Sequence, residues 1–271
     1  MQDELLNGSI YIESNFEKIS SPQTQIIAIH GIGTHSGWFA PMHEVATTAN
    51  VGLAALDLPG FGKSKTSDEI TYRSWTDAVA ALYAHCKAKN PNAKTYILGH
   101  SLGSLVALVS LSRHVKPDGL ILTVPALCPH PKSYPMFGLV LPANLRGLCP
   151  RKKNTLMDIP YPVEIKQAIQ DRRISLETLT PQITSGTFLE VSKLMLLAWT
   201  KIYSLSELSL LMVLAGRDET CVSSVSELFY SHCNAKKNQS ELIYYPDMGH
   251  DLFVLPEAEG VSRRIIELLT V

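Results

Sequence analysis

The chain has 271 residues, 45% of them hydrophobic, and its 24 Lys+Arg against 25 Asp+Glu leave a net charge of -1. That is enough apolar material for one sizeable core with an insertion or for two small domains, and the balanced charge carries no basic excess of the kind that marks a nucleic-acid binder. The longest apolar runs fall far short of the roughly 18 residues a membrane span needs, and Met1-Gln2-Asp3-Glu4 lacks the basic start and following apolar run of a signal peptide.

Ser9 to Glu13 alternates weakly and predicts an edge strand, and Gln25-Ile26-Ile27-Ala28-Ile29 a buried one that ends at His30-Gly31-Ile32-Gly33-Thr34. Val51 to Leu56 is the next strand, closed by the breaker-rich turn Asp57-Leu58-Pro59-Gly60-Phe61-Gly62-Lys63-Ser64. Trp75, Val79, Leu82, Tyr83 and Cys86 share one helical face, with Ser74 and Asp77 read as its capping pair and Asn90-Pro91 as its stop. Thr95 to Leu98 is a short apolar run that breaks at Gly99, after which Leu102, Leu105, Val106 and Val109 recur at helical spacing. Gly119 to Val124 predicts a further strand, and there the regular alternation stops. It resumes at Leu208 to Leu214, which runs into Ala215-Gly216-Arg217-Asp218. Ser224 and Glu227 are read as the capping box of a helix with Val225, Leu228 and Phe229 on its face. Glu241 to Tyr245 leads to Pro246-Asp247-Met248-Gly249-His250, and Val261, Ile265, Leu268 and Leu269 mark a closing helix. Strands alternating with helices predict one mostly parallel sheet covered on both faces.

In such sheets ligands bind beyond the carboxyl ends of the strands. The Gly31-Ile32-Gly33 loop, Ser101, Asp218 and His250 all fall there. Ser101 sits on the tight strand-to-helix turn Gly99-His100-Ser101-Leu102-Gly103, where a Cβ at either glycine would collide with the neighbouring strand or helix. The turn exposes a hydroxyl beside the N–H groups of a helix start, which favour an oxyanion. A serine hydroxyl needs a base to become a nucleophile, and a histidine near neutral pKa needs a carboxylate to fix its tautomer. The expected assignment is Ser101 as nucleophile, His250 as base and Asp218 as orienting acid, with the Ile32 and Leu102 N–H groups as oxyanion donors.

The rivals are weaker. His100 adjoins the serine but points away from where a base must stand, and His30 and His35 are expected to shape the loop. Glu219 neighbours Asp218, while Asp247 and Asp251 flank His250 and are too close in sequence to reach round to its Nδ1. Asp57 is expected to hold its Pro-Gly turn by hydrogen bonds. The five cysteines, Cys86, Cys128, Cys149, Cys221 and Cys233, have no metal spacing and are expected to be reduced, buried and small, in a cytoplasmic protein with no metal.

Together His30-Gly31-Ile32-Gly33, the turn from Asp57 to Ser64, Gly99 to Gly103, Gly216-Arg217-Asp218 and Gly249-His250 resemble the α/β-hydrolase superfamily over nearly the whole chain. The His-Gly-x-Gly loop running into His35-Ser36-Gly37-Trp38 and the Gly-His-Ser-Leu-Gly elbow resemble its monoacylglycerol lipase and lysophospholipase-like members. One departure is Leu208-Ser209-Leu210, where many members open the strand before the acid with proline; it leaves the triad untouched. The serine also argues against haloalkane dehalogenases and epoxide hydrolases, which carry aspartate there. The resemblance implies an α/β-hydrolase fold with an inserted helical cap: a core of residues 1–124 and 207–271 and a cap of residues 125–206.

The expected cap has two apolar stretches. Pro131 to Pro142 contains Tyr134, Met136, Phe137, Leu139, Val140 and Leu141; a later helix carries Phe188, Leu189, Leu194, Met195, Leu196, Leu197, Trp199 and Ile202. They are read as walls of an acyl tunnel over Ser101, with Phe137, Met195 and Trp199 against substrate. The insertion holds ten Lys/Arg and five Asp/Glu, an excess of about +5 densest at Arg151-Lys152-Lys153, which suits peripheral contact with anionic lipid surfaces. The expected activity is hydrolysis of a single-chain lipid ester, a monoacylglycerol or lysophospholipid, without cofactor. A small-substrate carboxylesterase or thioesterase is the first alternative. A proline-iminopeptidase-like enzyme would need acidic cap residues for a substrate amine, and a non-catalytic receptor on the same fold need not keep all three triad groups. The sequence leaves the oligomeric state open.

Overall fold

The computed structural model describes residues 2–64, 70–112, 114–130, 156–159, 165, 167, 179–180, 182–254 and 257–270. The stretch from Pro131 to Pro142 with Phe137, the triplet Arg151-Lys152-Lys153, and Cys149 lie outside the described residues.

The strands are β1 (Gln2–Leu6), β2 (Ile10–Ser14), β3 (Thr24–Ile29), β4 (Gly52–Leu56), β5 (Lys94–His100), β6 (Gly119–Thr123), β7 (Leu156–Asp158), β8 (Gln182–Thr184), β9 (Ser209–Ala215) and β10 (Glu241–Tyr245). The helices are α1 (Ala40–Thr48), α2 (Tyr72–Lys89), α3 (Leu102–Ser110), α4 (Ser185–Thr200), α5 (Ser223–His232) and α6 (Ala258–Thr270). Eight strands form one sheet in the order β1-β2-β4-β3-β5-β6-β9-β10. The pairs from β4 to β10 are parallel; β1 with β2 and β2 with β4 are antiparallel. This is the α/β-hydrolase fold.

The central strands read as unbroken apolar runs because both faces are covered. In β3, Ile27 and Ile29 face a core shared with Trp75, Val79 and Leu82 of α2 and Leu105 and Val106 of α3. Ile26 and Ala28 face the opposite core, with Met42 of α1 and Val261 and Ile265 of α6. Between β6 and β9, the described residues form the antiparallel pair β7 and β8 and then α4, whose Phe188, Val191 and Leu194 join the α2–α3 core.

Three local expectations are corrected. The segment expected as an edge strand is second in the sheet, because β1 pairs along it from Gln2↔Ser14 to Leu6↔Ile10. Helix α2 starts at Tyr72, and its capping box is Thr71 with Ser74, not Ser74 with Asp77: the Thr71 side chain accepts from Ser74 N, and Ser74 Oγ accepts from Thr71 N. Helix α5 has Val222 at its N-cap without a side-chain cap, and Leu228 is 52% exposed. The tie there is Ser223 Oγ, which donates to Ala215 O at 2.8 Å and pins the helix to the end of β9.

Candidate active site

Strand β5 delivers Ser101 into a backbone conformation of φ 54°, ψ −115°, the left-handed side of the map for a residue with a Cβ. Two hydrogen bonds to the neighbouring strand's end hold it there, Ser101 N to Thr123 O at 2.9 Å and Ala126 N to Ser101 O at 3.2 Å. The turn closes only because its flanks lack side chains. A Cβ on Gly99 would strike the backbone of Gly103 and Ser104, and one on Gly103 would strike Ile29 and His30. Leu102 opens α3, so its N–H belongs to the first turn, which has no partner inside the helix. Gly31 approaches from the β3 loop, where a Cβ would lie 3.3 Å from the Ser101 Cβ.

Asp218 follows β9 and His250 follows β10. Their loops are stitched by Gly216 N to Tyr245 O at 2.8 Å and Arg217 N to Met248 O at 2.9 Å. Asp218 Oδ1 accepts from Thr220 N and Cys221 N, each at 2.8 Å, and this leaves Oδ2 for His250 Nδ1, also at 2.8 Å. Burial alone would lower the proton affinity of His250, but the charge and hydrogen bond of Asp218, with the charge of Asp251, outweigh it and raise the pKa above the ordinary histidine value of 6.5. Nδ1 is thereby committed to Asp218, and Nε2 is the nitrogen left to work.

Among the described residues no rival carboxylate is hydrogen-bonded to His250 Nδ1. Asp247 pairs with Arg217 at 2.7 Å on the surface, and Asp251 Oδ1 faces His100 Nε2 at 3.8 Å. His30 accepts from Leu58 N at 2.9 Å, and Asp57 accepts from Ser36 N and Lys63 N, each at 2.6 Å, so both hold the loops.

Among the described residues Ser101 and His250 share no direct hydrogen bond; the Cys221 thiol stands beside Ser101 in the lining of one cavity. Residue type and spacing alone give this thiol no role beyond that of a small buried side chain. Its signal is its place three residues after Asp218, because the carboxylate that captures the Thr220 and Cys221 N–H groups folds the chain back onto the site. Burial first, then the Asp218 charge, push its pKa well above the ordinary value, so it stands there as a neutral thiol. Donor atoms of Asp218, Cys221 and His250 lie within 4.8 Å of one another. Two of these groups are already hydrogen-bonded to each other, Asp218 Oδ2 and His250 Nδ1 at 2.8 Å.

A cavity of about 40 Å³ adjoins Ser101, lined by Ile32, Leu102, Ala126, Pro129, Thr220 and Cys221 and by Phe188, Val191 and Met195 of α4. Ile32 and Met195 are both among the residues of this lining. Trp199 instead packs edge-on against Phe229, their ring centres 5.4 Å apart, and donates to Leu127 O at 3.4 Å.

Comparison with known proteins fits this geometry. The model of the serine aminopeptidase S33 family, Hydrolase_4, matches residues 20–257. The chain belongs to this family. As a member of Hydrolase_4 it carries the α/β-hydrolase fold. It is similar to the phospholipase YtpA of Bacillus subtilis, at 30% identity over 41% of this chain and 43% of that protein. It is also similar to the pimeloyl-[acyl-carrier protein] methyl ester esterase of Shewanella woodyi, at 33% identity over 40% and 36%. These matches span less than half the length of either curated relative. In structure this Hydrolase_4 member resembles the monoacylglycerol lipase of Paleococcus ferrophilus, with a TM-score of 0.79 at 20% identity over 96% of this chain and 98% of that one. A monoglyceride lipase of Saccharomyces cerevisiae gives a TM-score of 0.77 at 16% identity, over 99% and 94%. Among the described residues no helix is long and apolar enough to cross a membrane.

Proposed function

We propose that the chain hydrolyses carboxylic esters through an acyl-enzyme, with a monoacylglycerol- or lysophospholipid-type single-chain lipid ester as substrate. In this reading His250 Nε2 takes the Ser101 proton as Oγ attacks the ester carbonyl, and the Ile32 and Leu102 N–H groups receive the oxyanion. The tetrahedral adduct collapses as His250 returns the proton to the departing alcohol, leaving the acyl group on Ser101. Water, deprotonated by His250, then releases the carboxylic acid and restores the serine. Asp218 holds the tautomer and steadies the imidazolium throughout. Phe188, Val191 and Met195 of α4, within the 125–206 insertion, wall this site.

The observation that carries the substrate class is the lining beside Ser101, apolar apart from Ser101 itself, Thr220 and the Cys221 thiol, with no charged group among the described lining residues. An aminopeptidase needs a carboxylate for the substrate amine. The buried acid of α4, Glu190, is already committed, accepting from Tyr72 N at 3.0 Å and from Lys193 Nζ at 2.5 Å. The names of YtpA and of the two lipases point the same way.

The test is labelling with a fluorophosphonate, mapping of the modified residue, and a series of p-nitrophenyl esters from acetate to palmitate. Adduct at Ser101, its loss in Ser101→Ala, and activity highest on medium or long chains are expected. A peak at acetate would replace the lipid reading with a small-ester esterase, and an unlabelled Ser101 would remove the mechanism.

A further inference from the structure

Asp251 is 6% exposed, and a scheme of nucleophile, base and orienting acid has no use for a second buried carboxylate beside the base. Its Oδ1 faces His100 Nε2 at 3.8 Å, too long for a hydrogen bond. Both His100 Nε2 and Asp251 Oδ2 are buried without a hydrogen-bond partner. His100 Nδ1 is held by Thr123 Oγ1 at 3.1 Å, and its Nε2 reaches no group within hydrogen-bond distance. Burial keeps the pKa of His100 below the ordinary value, against the pull of Asp251, and the ring stays neutral. A neutral His100 cannot cancel the Asp251 charge. That ring lies 5.3 Å from the ring of His250, whose proton affinity the Asp251 charge raises.

We propose that Asp251 is a positioning residue: a buried carboxylate, left uncancelled by a neutral His100, whose charge favours the imidazolium of His250 that forms when Ser101 gives up its proton. This rests on the roles given above to Ser101, His250 and Asp218. Among the described residues, the titratable groups around His250 are Asp218 and Cys221 from the loop after β9, His100 from the β5–α3 turn, and Asp251 beside it in the chain. Of these, Asp218 and Asp251 bring the negative charge that acts on it.

The test uses Asp251→Asn, nearly isosteric and uncharged, and Asp251→Glu, which keeps the charge, each assayed on a p-nitrophenyl ester across pH. His250 must be neutral to accept a proton, so the acid limb of kcat/KM reports its pKa, and removing a negative charge moves that limb to lower pH. For Asp251→Asn the limb is expected to fall by about half a pH unit or more and kcat by about tenfold, with KM little changed, while Asp251→Glu returns the limb towards wild type. A drop in kcat with the limb unmoved would mark Asp251 as merely structural and overturn the proposal, as would no change at all. Should Asp251→Asn fail to fold, His100→Gln takes its place. Its amide donates to Asp251 and damps the charge, so the limb must again move to lower pH, and an unmoved limb overturns the proposal. A wild-type protein without esterase activity or Ser101 labelling would sink the catalytic reading itself, and the role of Asp251 with it.

Discussion

Gly103, on the first turn of α3, lies directly against the carbonyl of Ile29 at the end of β3, with no room for a methyl group between them. The obstacle is backbone on both sides, so neither partner can give way by changing rotamer. Gly103→Ala is therefore expected to cost about 2–4 kcal/mol and to lower the melting temperature by about 5–15 °C. The displaced helix start would also carry the Leu102 N–H away from Ser101, so residual folded protein should label slowly with fluorophosphonate. A melting temperature within a degree of wild type would show that α3 is free to shift.

Such contacts explain why the elbow was legible from residues alone. Two glycines flanking a serine between an apolar run and a helical stripe admit few other structures, and a strand buried on both faces is written as an unbroken apolar run, as in β3 and β9. What escaped has no local signature. Strand β1 depends on its pairing with β2. Thr71 caps α2 in preference to Ser74 because the preceding chain approaches in an extended conformation, with Thr71 at φ −131°, ψ 158°. Val124, at φ 41°, holds a left-handed conformation that a β-branched residue would not announce. Cys221 and Asp251 gain their meaning only when the β9, β10 and β5 loops converge.

Asp218→Asn tests the orientation of His250. The amide oxygen would keep the two backbone N–H bonds from Thr220 and Cys221, which turns the amide NH2 towards His250 Nδ1. Nδ1 must then accept, the ring proton moves to Nε2, and the base is blocked. A fall in kcat of about 10³–10⁴-fold with little change in KM is expected. In the wild type, the raised pKa of His250 puts the acid limb of kcat/KM above pH 6.5. Loss of less than tenfold in the variant would show that another group orients the imidazole.

His43 on α1 is 3% exposed, and neither ring nitrogen has a hydrogen-bond partner. Burial, aided by nearby positive charge including Lys18, lowers its pKa from 6.5 to about 4. With the folded value below the unfolded one, the group contributes stability above pH 6.5, and that contribution is lost as pH falls towards 4. His43→Leu removes both the titration and the unmet nitrogens. It is expected to raise the melting temperature at pH 8 or leave it unchanged, and to gain about 1–3 kcal/mol over wild type at pH 5. Thermal melts across pH 4.5 to 8 decide this, and a variant less stable than wild type at pH 5 would refute it.

Met195 shares the cavity wall with Phe188 and Val191, which lie on one face of α4. If the acyl chain of the substrate runs along that wall, bulk at position 195 must shorten the chain the site accepts while sparing the chemistry at Ser101. Met195→Trp fills space that a flexible thioether leaves adaptable. The kcat/KM ratio of a decanoate to an acetate p-nitrophenyl ester is expected to fall by about tenfold or more, since each buried methylene of a displaced chain carries about 0.8 kcal/mol. The acetate rate alone serves as the control for the catalytic groups. An unchanged ratio with a folded protein would place the acyl chain on a different wall.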